Sequence, residues 1–373
     1  MKPADAKFIR RVEPPFIELR TDAFTQPTEQ MIDAVRSIGY MYSDLARECP
    51  QTDELEALGA ELTGKEAAVL VPSGTLANLL GMLTLGQRGS EVIVETDAHI
   101  YNRERGGISA VAGLVPRPVR GLHGVLRPED LAPVIRHDPQ ARTVNPNWQW
   151  SILISRTSLI CTENPHNDAG NRVWTAAQTE VICKLAHSIG AGVHIDGARI
   201  FNSAVALGVP VKDLTSPADT IAIGLAKGLA APVGALFCAS RELAERARLL
   251  RQMLGGAMHR PAWLSAAGII ALKEMPQQFR EDHKNARLLA GQLAEIPGIR
   301  VDLEQVQTNT VLFEVTDSRW TTEKFVAAIA ARKIRIGSRG ERKFRVMTHH
   351  AIGEPQIGIF VDELRQVMQR GAY

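Results

Sequence analysis

The sequence predicts an α/β protein, with a large unit built on a mostly parallel sheet covered on both faces, followed by a smaller α+β unit. Three observations predict it. From Ala67 onward, short apolar runs alternate with segments of helical spacing. The runs are continuously apolar, as strands buried on both faces are, rather than alternating with polar residues. From about Ser265 the alternation gives way to long helices and then a few separate strands.

The elements follow in order. "TEQMIDAVRSI" (28–38) places Met31, Ile32, Val35 and Ile38 at helical spacing. "DELEALGAELTG" (53–64) is a second helix, stopped by Gly64. "AAVLVPSG" reads as a strand into a turn, "TLANLLGMLTLG" as a helix and "EVIVE" (91–95) as a strand. "SLICTEN" (158–164) is a strand, and "TAAQTEVICKLAHSIG" (175–190) is a helix opened by a Thr175/Gln178 capping box and closed at Gly190. "GVHIDGAR" (192–199) and "TIAIGLAK" (220–227) are further strands. Two long helices are expected from about Ser265 to near Gly298, with "IPG" as a hinge mark. A strand at 308–316, a helix around 322–332, a strand at 343–349 and a last helix complete the chain. The expected division is an arm at 1–27, a large domain at 28–264 and a small domain at 265–373. Segment 136–156 places Trp148 and Trp150 among loop formers, as a lid or an oligomer contact would.

A chain of 373 residues with 45% apolar content exceeds one core and argues against disorder. Its 43 basic and 41 acidic residues are interspersed, for a net charge of +2, which offers no pull toward nucleic acid or an anionic membrane. A small-molecule partner is expected. Cys49, Cys161, Cys183 and Cys238 are scattered without metal-ligand spacing and read as reduced thiols in a cytoplasm. No metal site is expected. The N-terminus carries no signal-peptide core. The apolar stretch 221–239 has membrane-span length, but Lys227, Pro232 and three glycines interrupt it, so two buried strands around a turn fit better.

Four features fall at the carboxyl ends of these strands, where ligands gather in open α/β sheets. The turn Ser73-Gly74-Thr75 offers free N–H groups and hydroxyls to a phosphate, or is simply a helix cap. His99 can lie over a flat ring, or pack. Asp196 ends an apolar strand and needs a partner, either Arg199 or a protonated ring nitrogen. Lys227 follows another apolar strand, where desolvation lowers its pKa and suits it to a Schiff base; otherwise it snorkels to the sheet edge. Singly, each favours its plain structural role. Together they are the parts of a pyridoxal 5′-phosphate (PLP) site. Neither GxxxxGK[ST] nor GxGxxG occurs as a rival phosphate motif.

The motifs "VPSGTLANLL", "DAHIY", "LICTENPHNDAG", "VHIDGARIFNSAVALGVPV", "AKGLAAPVGA" and "LGGAMHR" occur in one order over nearly the whole chain. By them the sequence resembles the threonine aldolases of the beta-eliminating lyase family, among the aspartate-aminotransferase-like (fold type I) PLP enzymes. The resemblance implies a seven-stranded large-domain sheet and a Schiff base at Lys227. It also implies Asp196 at the pyridinium nitrogen, His99 stacked on the ring, and phosphate at Ser73, Gly74 and Thr75. Arg199 and Arg345, with Thr21, would hold the substrate carboxylate. It further implies a homodimer or homotetramer with sites at the dimer interface, to which "LRQMLGGAM" (250–258) would contribute.

Departures from the family pattern concern the substrate more than the cofactor. "RSDT" is here Arg20-Thr21-Asp22-Ala23; the tyrosine of "VYGEDP" is missing from 45–50, with Tyr42 nearby in sequence. "ENTHN" has Pro165 at its centre, the serine before the lysine is Ala226, and "MRQ" is Met258-His259-Arg260. Leu153 stands where many members carry a histidine near the substrate hydroxyl, leaving His99 to manage proton transfer. The expected activity is cleavage or formation of the Cα–Cβ bond of a β-hydroxy-α-amino acid in a remodelled pocket. β-Elimination, racemisation or transamination on the same scaffold is the alternative, and a non-catalytic PLP-fold binder is the reading from another class.

Overall fold

The computed structural model describes residues 15–39, 43, 47–136 and 154–371. Seven strands form the large sheet, in the spatial order Ala67–Val71, Ala235–Ala239, Thr220–Gly224, Gly192–Gly197, Thr157–Glu163, Glu91–Glu95 and Val115–Val119. Ala235–Ala239 alone runs antiparallel to its neighbours. The long apolar stretch is therefore two buried strands, with Lys227 in the turn between them. The seventh strand, "VPRPV", escapes a pattern search because it holds two prolines. It is an edge strand, the position where proline's missing donor is tolerated.

Successive residues of Ala67–Val71 and Ala235–Ala239 enter different cores, which is why these runs are continuously apolar. Val69 and Val71 join Leu80, Phe237 and Ala247 on one face, while Ala68 and Leu70 join Leu55, Ile221 and Ala267 on the other. The helix Gly74–Leu85 lies on the first face, and Pro50–Thr63 on the second. Gly64, at φ 66°, ends the latter in a left-handed cap.

Where two helices were expected after Ser265, the structure has one of 33 residues, Ala262–Ala294, running through Pro276. Its first half, Ala267 to Phe279, packs in the large core. Its second half, Ala286 to Leu293, packs with Phe313, Phe325, Phe344 and Phe360 in the small one. The change of core falls inside this helix rather than at 264/265. "IPG" closes the helix and enters the strand Ile299–Val301, so it marks no hinge between the units. Packing on both sides of Pro276 keeps the helix continuous despite the lost backbone hydrogen bond.

The small sheet is antiparallel, in the order Gly337–Ser338, Lys343–Met347, Thr310–Val315, Ile299–Val301. The chain's beginning belongs to this unit: Ile17–Glu18 pairs in parallel with Ile334–Arg335, and Leu19 is buried in the small core. Of the expected arm, 1–14 lie outside the described residues. All four cysteines are free and buried. Among the described residues no helix is long and apolar enough to cross a membrane.

Candidate active site

Six strands running in one direction end at the same edge of the large sheet, and five of them lead into the site. Beyond them stand Ser73–Thr75, His99, Glu163–Asn167, Asp196–Arg199 and Lys227. Ser73 caps Gly74–Leu85, its Oγ accepting from Leu76 N–H at 3.2 Å. The Gly74 and Thr75 N–H groups, in the first turn, have no acceptor within the helix. A Cβ on Gly74 would meet nothing within 4 Å, so an anion can approach this backbone.

Lys227 sits in a turn closed by Ala230 N–H to Lys227 O at 2.8 Å and Leu225 N–H to Gly234 O at 3.1 Å. Thr25 Oγ1 donates to the same Lys227 carbonyl at 2.6 Å, so the chain's beginning pins the turn. Gly228 permits a close approach: a Cβ there would lie 3.1 Å from the Phe279 ring and 3.5 Å from Asp22 Oδ2. Among the described residues no hydrogen bond or ion pair holds the Lys227 amine. Burial and then the Arg199 charge push its pKa down, against the pull of Asp196, Asp22 and Glu163.

Two arginines face this amine's surroundings. Arg199 grips Asp22 through Nε at 2.9 and 3.0 Å and through Nη2. Burial favours a protonated Asp22, but the Arg199 charge and hydrogen bonds outweigh it, with Lys227 and Arg345 adding, and hold Asp22 at about 2. Arg199 Nη1 and Arg345 Nη1 both donate to Asn167 Oδ1, at 3.3 and 2.9 Å. One neutral oxygen thus sits between two guanidinium groups. Arg345 Nη2 reaches Arg20 O at 3.1 Å, beside Thr21, whose hydroxyl accepts from Ala23 N–H at 3.2 Å.

The sequence left Asp196 a choice of partners, and Arg199 is not the one taken. Asp196 accepts from Ala198 N–H at 3.1 Å and Asn78 Nδ2 at 3.0 Å. Asn78 also donates to Glu104 Oε1 at 2.8 Å, and that oxygen meets His99 Nδ1 at 3.0 Å. The Glu104 contact raises the His99 pKa against burial, with Asp196 adding. Burial raises that of Glu104, again with Asp196 adding. At 3.0 Å, Nδ1 and Oε1 are hydrogen-bonded and so have a proton between them. The other ring nitrogen, Nε2, stays free of Glu104. Glu163, pushed up by burial, fixes the backbone here by accepting from His99 N–H at 2.7 Å and Asn167 N–H at 2.8 Å.

Lys227, His99, Asp196, Arg199 and Arg345 thus fall within one electrostatic neighbourhood, with the Ser73–Thr75 turn on the same edge. Asp22, Asn78, Glu104, Glu163 and Asn167 join them, unforeseen. Asn78 lies one helical turn after Gly74, and Glu104 five residues after His99 in an exposed-looking "NRERGG"; only Asp22's place beside Thr21 offered a signal. His259 and Arg260 are exposed. Tyr42, Leu45, Ala46, Trp148, Trp150 and Leu153 lie outside the described residues.

The donor set fits PLP on observations of this structure. Among the described residues the amine, of lowered basicity, has no hydrogen-bond or ion-pair partner, Gly74 leaves open space before N–H groups without a helical acceptor, and Glu104 Oε2 and Arg345 Nε are buried without partners. The fold and site define a PLP-type lyase, and residues 18–317 match the family described as Beta-eliminating lyase: the chain belongs to that family. It is 37% identical over 355 residues to Low-specificity L-threonine aldolase 1 of Arabidopsis thaliana, covering 94% of this chain and 96% of that protein. It is 35% identical to the low specificity L-threonine aldolase of Escherichia coli strain K12, covering 80% of this chain and 84% of that one. The solved threonine aldolase of Leishmania major superposes with a TM-score of 0.77 at 18% identity, covering 94% of this chain and 99% of that one.

Proposed function

We propose that this protein is a PLP-dependent aldolase acting on the Cα–Cβ bond of a β-hydroxy-α-amino acid, threonine-aldolase-like, with its own preference for the β side chain. The observation that carries the reading is the desolvated Lys227 amine, without a hydrogen-bond or ion-pair partner among the described residues, near Asp196, Asp22 and Arg199 at the carboxyl edge of the sheet. Lys227 would hold the cofactor covalently, Asp196 would face its ring nitrogen, His99 its ring, and the Ser73–Thr75 turn its phosphate. Bound there, PLP supplies an electron sink for the charge left on Cα when Cα–Cβ breaks.

The chain's own residues do the rest. Arg199 and Arg345 bind the substrate carboxylate in place of the Asn167 oxygen they now share, and so orient the bond to be cleaved. Asp22 holds the far side of Arg199, which keeps its Nη1 turned toward that carboxylate. His99, with Nδ1 engaged by Glu104, has Nε2 to accept the β-hydroxyl proton. Thr21 for serine and Ala226 for serine both border this site and support a preference for a side chain other than threonine's. Assembly as a cytoplasmic homodimer or homotetramer is part of the proposal, supported by Leu249, Met253 and Trp263, large apolar side chains left about half or more exposed on two successive helices.

The test is an absorption spectrum of the purified, PLP-supplemented protein, followed by mixing with L-threonine and bulkier β-hydroxy amino acids. A visible cofactor band, aldehyde release, and loss of both in Lys227→Ala are expected. A band with pyruvate or a keto acid as the only product would replace the aldolase reading by elimination or transamination. Aldehyde release by Lys227→Ala at even a tenth of the wild-type rate would overturn the lysine's role.

A further inference from the structure

One buried residue touches two acids of the site, Glu104 and Asp196, and has no role in the account above. Asn78 lies on the inner face of Gly74–Leu85 and is 2% exposed. Its Nδ2 donates to Glu104 Oε1 at 2.8 Å and to Asp196 Oδ2 at 3.0 Å. Its Oδ1 meets His194 Nε2 at 3.1 Å, and His194 Nδ1 meets Thr220 Oγ1 at 2.8 Å.

Chemistry gives this chain of contacts one direction. Two carboxyl groups on the same side of Asn78 require its NH2 there, because the reversed amide would set oxygen against oxygen. Oδ1 therefore faces His194, whose Nε2 must carry the proton. His194 is fully buried, and burial depresses its pKa to about 4, so it is neutral and has only that one N–H. Its Nδ1 must then accept from the Thr220 hydroxyl. Every donor and acceptor from Thr220 to Asn78 is used once, and the series ends on the two acids. His99, Glu104 and Asp196 bring one ligand atom each within 4.8 Å of one another. A cation among them would face the Asn78 N–H donors, whereas the amide as placed offsets the repulsion between the acids.

We propose that Asn78 is a positioning residue of this site, its carboxamide holding Asp196 and the His99 partner Glu104 on one NH2 group. The ring acid and the proton-holding histidine thereby stand in fixed relation. The proposal rests on the roles given to Asp196 and His99 above. Losing this NH2 leaves the two acids facing one another undamped. Both the acid at the cofactor ring and the proton shared by His99 and Glu104 then change.

The groups that face Asp196 are Glu104 and His99 from the turn after Glu91–Glu95, Glu163 and the Cys161 thiol from the neighbouring strand, His194 from its own strand, Arg199, and Lys227. Asn78→Ala substitutes none of these residues, and Lys227 and the phosphate turn remain. The variant loaded with PLP is expected to keep the visible cofactor band, with its pH midpoint moved by at least about half a unit. Its kcat falls about tenfold or more while KM stays within about threefold, because orientation and proton transfer suffer rather than carboxylate binding. A folded, loaded Asn78→Ala with wild-type midpoint and kcat overturns the proposal. Should that variant not fold, Thr220→Val decides. It releases only the far end of the series, and a midpoint or kcat change in the same sense, smaller in size, is expected; a folded, loaded Thr220→Val with both midpoint and kcat at wild-type values overturns the proposal. A wild-type protein lacking the band or aldehyde release would instead count against the function proposed above, so the two failures are separately readable.

Discussion

Asp22 shows how much of this site hangs on single side chains drawn from far along the chain. It meets Arg199 across 177 positions of sequence, and both groups are nearly inaccessible to solvent. Removing one partner of a buried pair leaves the other charge uncompensated, so Asp22→Ala should cost about 3–5 kcal/mol of stability. Urea unfolding measures this; a loss under about 1 kcal/mol would mean that Arg199 finds another counter-charge. Asp22→Asn keeps the shape while weakening the grip on Nε and Nη2. It should raise KM for the amino acid about tenfold with a smaller change in kcat. A reversed split would place Asp22 in the chemistry rather than in carboxylate binding.

At the scale of the element, the helix Gly74–Leu85 carries two duties on opposite sides. Its first turn presents N–H groups at the sheet edge, while Asn78 and Gly81 seat it against His194. A Cβ at Gly81 would fall 2.3 Å from His194 Nδ1, and His194 is itself fixed in the strand Gly192–Gly197. Glycine to alanine in a helix interior normally gains about 1 kcal/mol. Here overpacking should reverse the sign, and Gly81→Ala should destabilise by about 1–3 kcal/mol. An increase in the denaturation midpoint would show that the helix can move off the strand without loss. The one long helix, Ala262–Ala294, was misread for a related reason: a change of core partner along it resembles a change of element when only the sequence is read.

For the whole molecule, buried neutral histidines set the acid response. Burial holds His194 and His283 at about 4, below the ordinary 6.5, with Arg287 adding at His283. A group with a depressed folded pKa takes up a proton more readily unfolded in that interval. Its stabilisation is thus full above pH 6.5 and is lost as pH falls toward 4. His99 and His166, whose pKa values are raised, act in the opposite sense, their contribution being present below pH 6.5 and lost above. His283 bonds Asn202 at 3.0 Å, not one of the groups assigned to cofactor, substrate or proton transfer, and so reads the effect. The stability difference between wild type and His283→Gln should fall by about 3 kcal/mol from pH 7 to pH 4. A difference independent of pH would mean that His283 is protonated in place.

Local pattern determined much of this protein by itself. The strands Glu91–Glu95, Gly192–Gly197 and Thr220–Gly224, the capping box at Thr175, and the family membership were all legible, because apolar periodicity and motif order are properties of neighbouring residues. The proline-bearing edge strand was not, since its stability comes from its neighbour rather than from its own composition. Only the tertiary structure decided the partnerships: Arg199 with Asp22 rather than Asp196, Asn167 between two arginines, Glu104 behind His99, and Asn78 across both acids. Each joins segments brought together by sheet order and by the return of the chain's beginning to the small unit. Hydrogen bonds and charge pairs depend on distances of about 3 Å, and such distances between remote segments have no local signature in sequence.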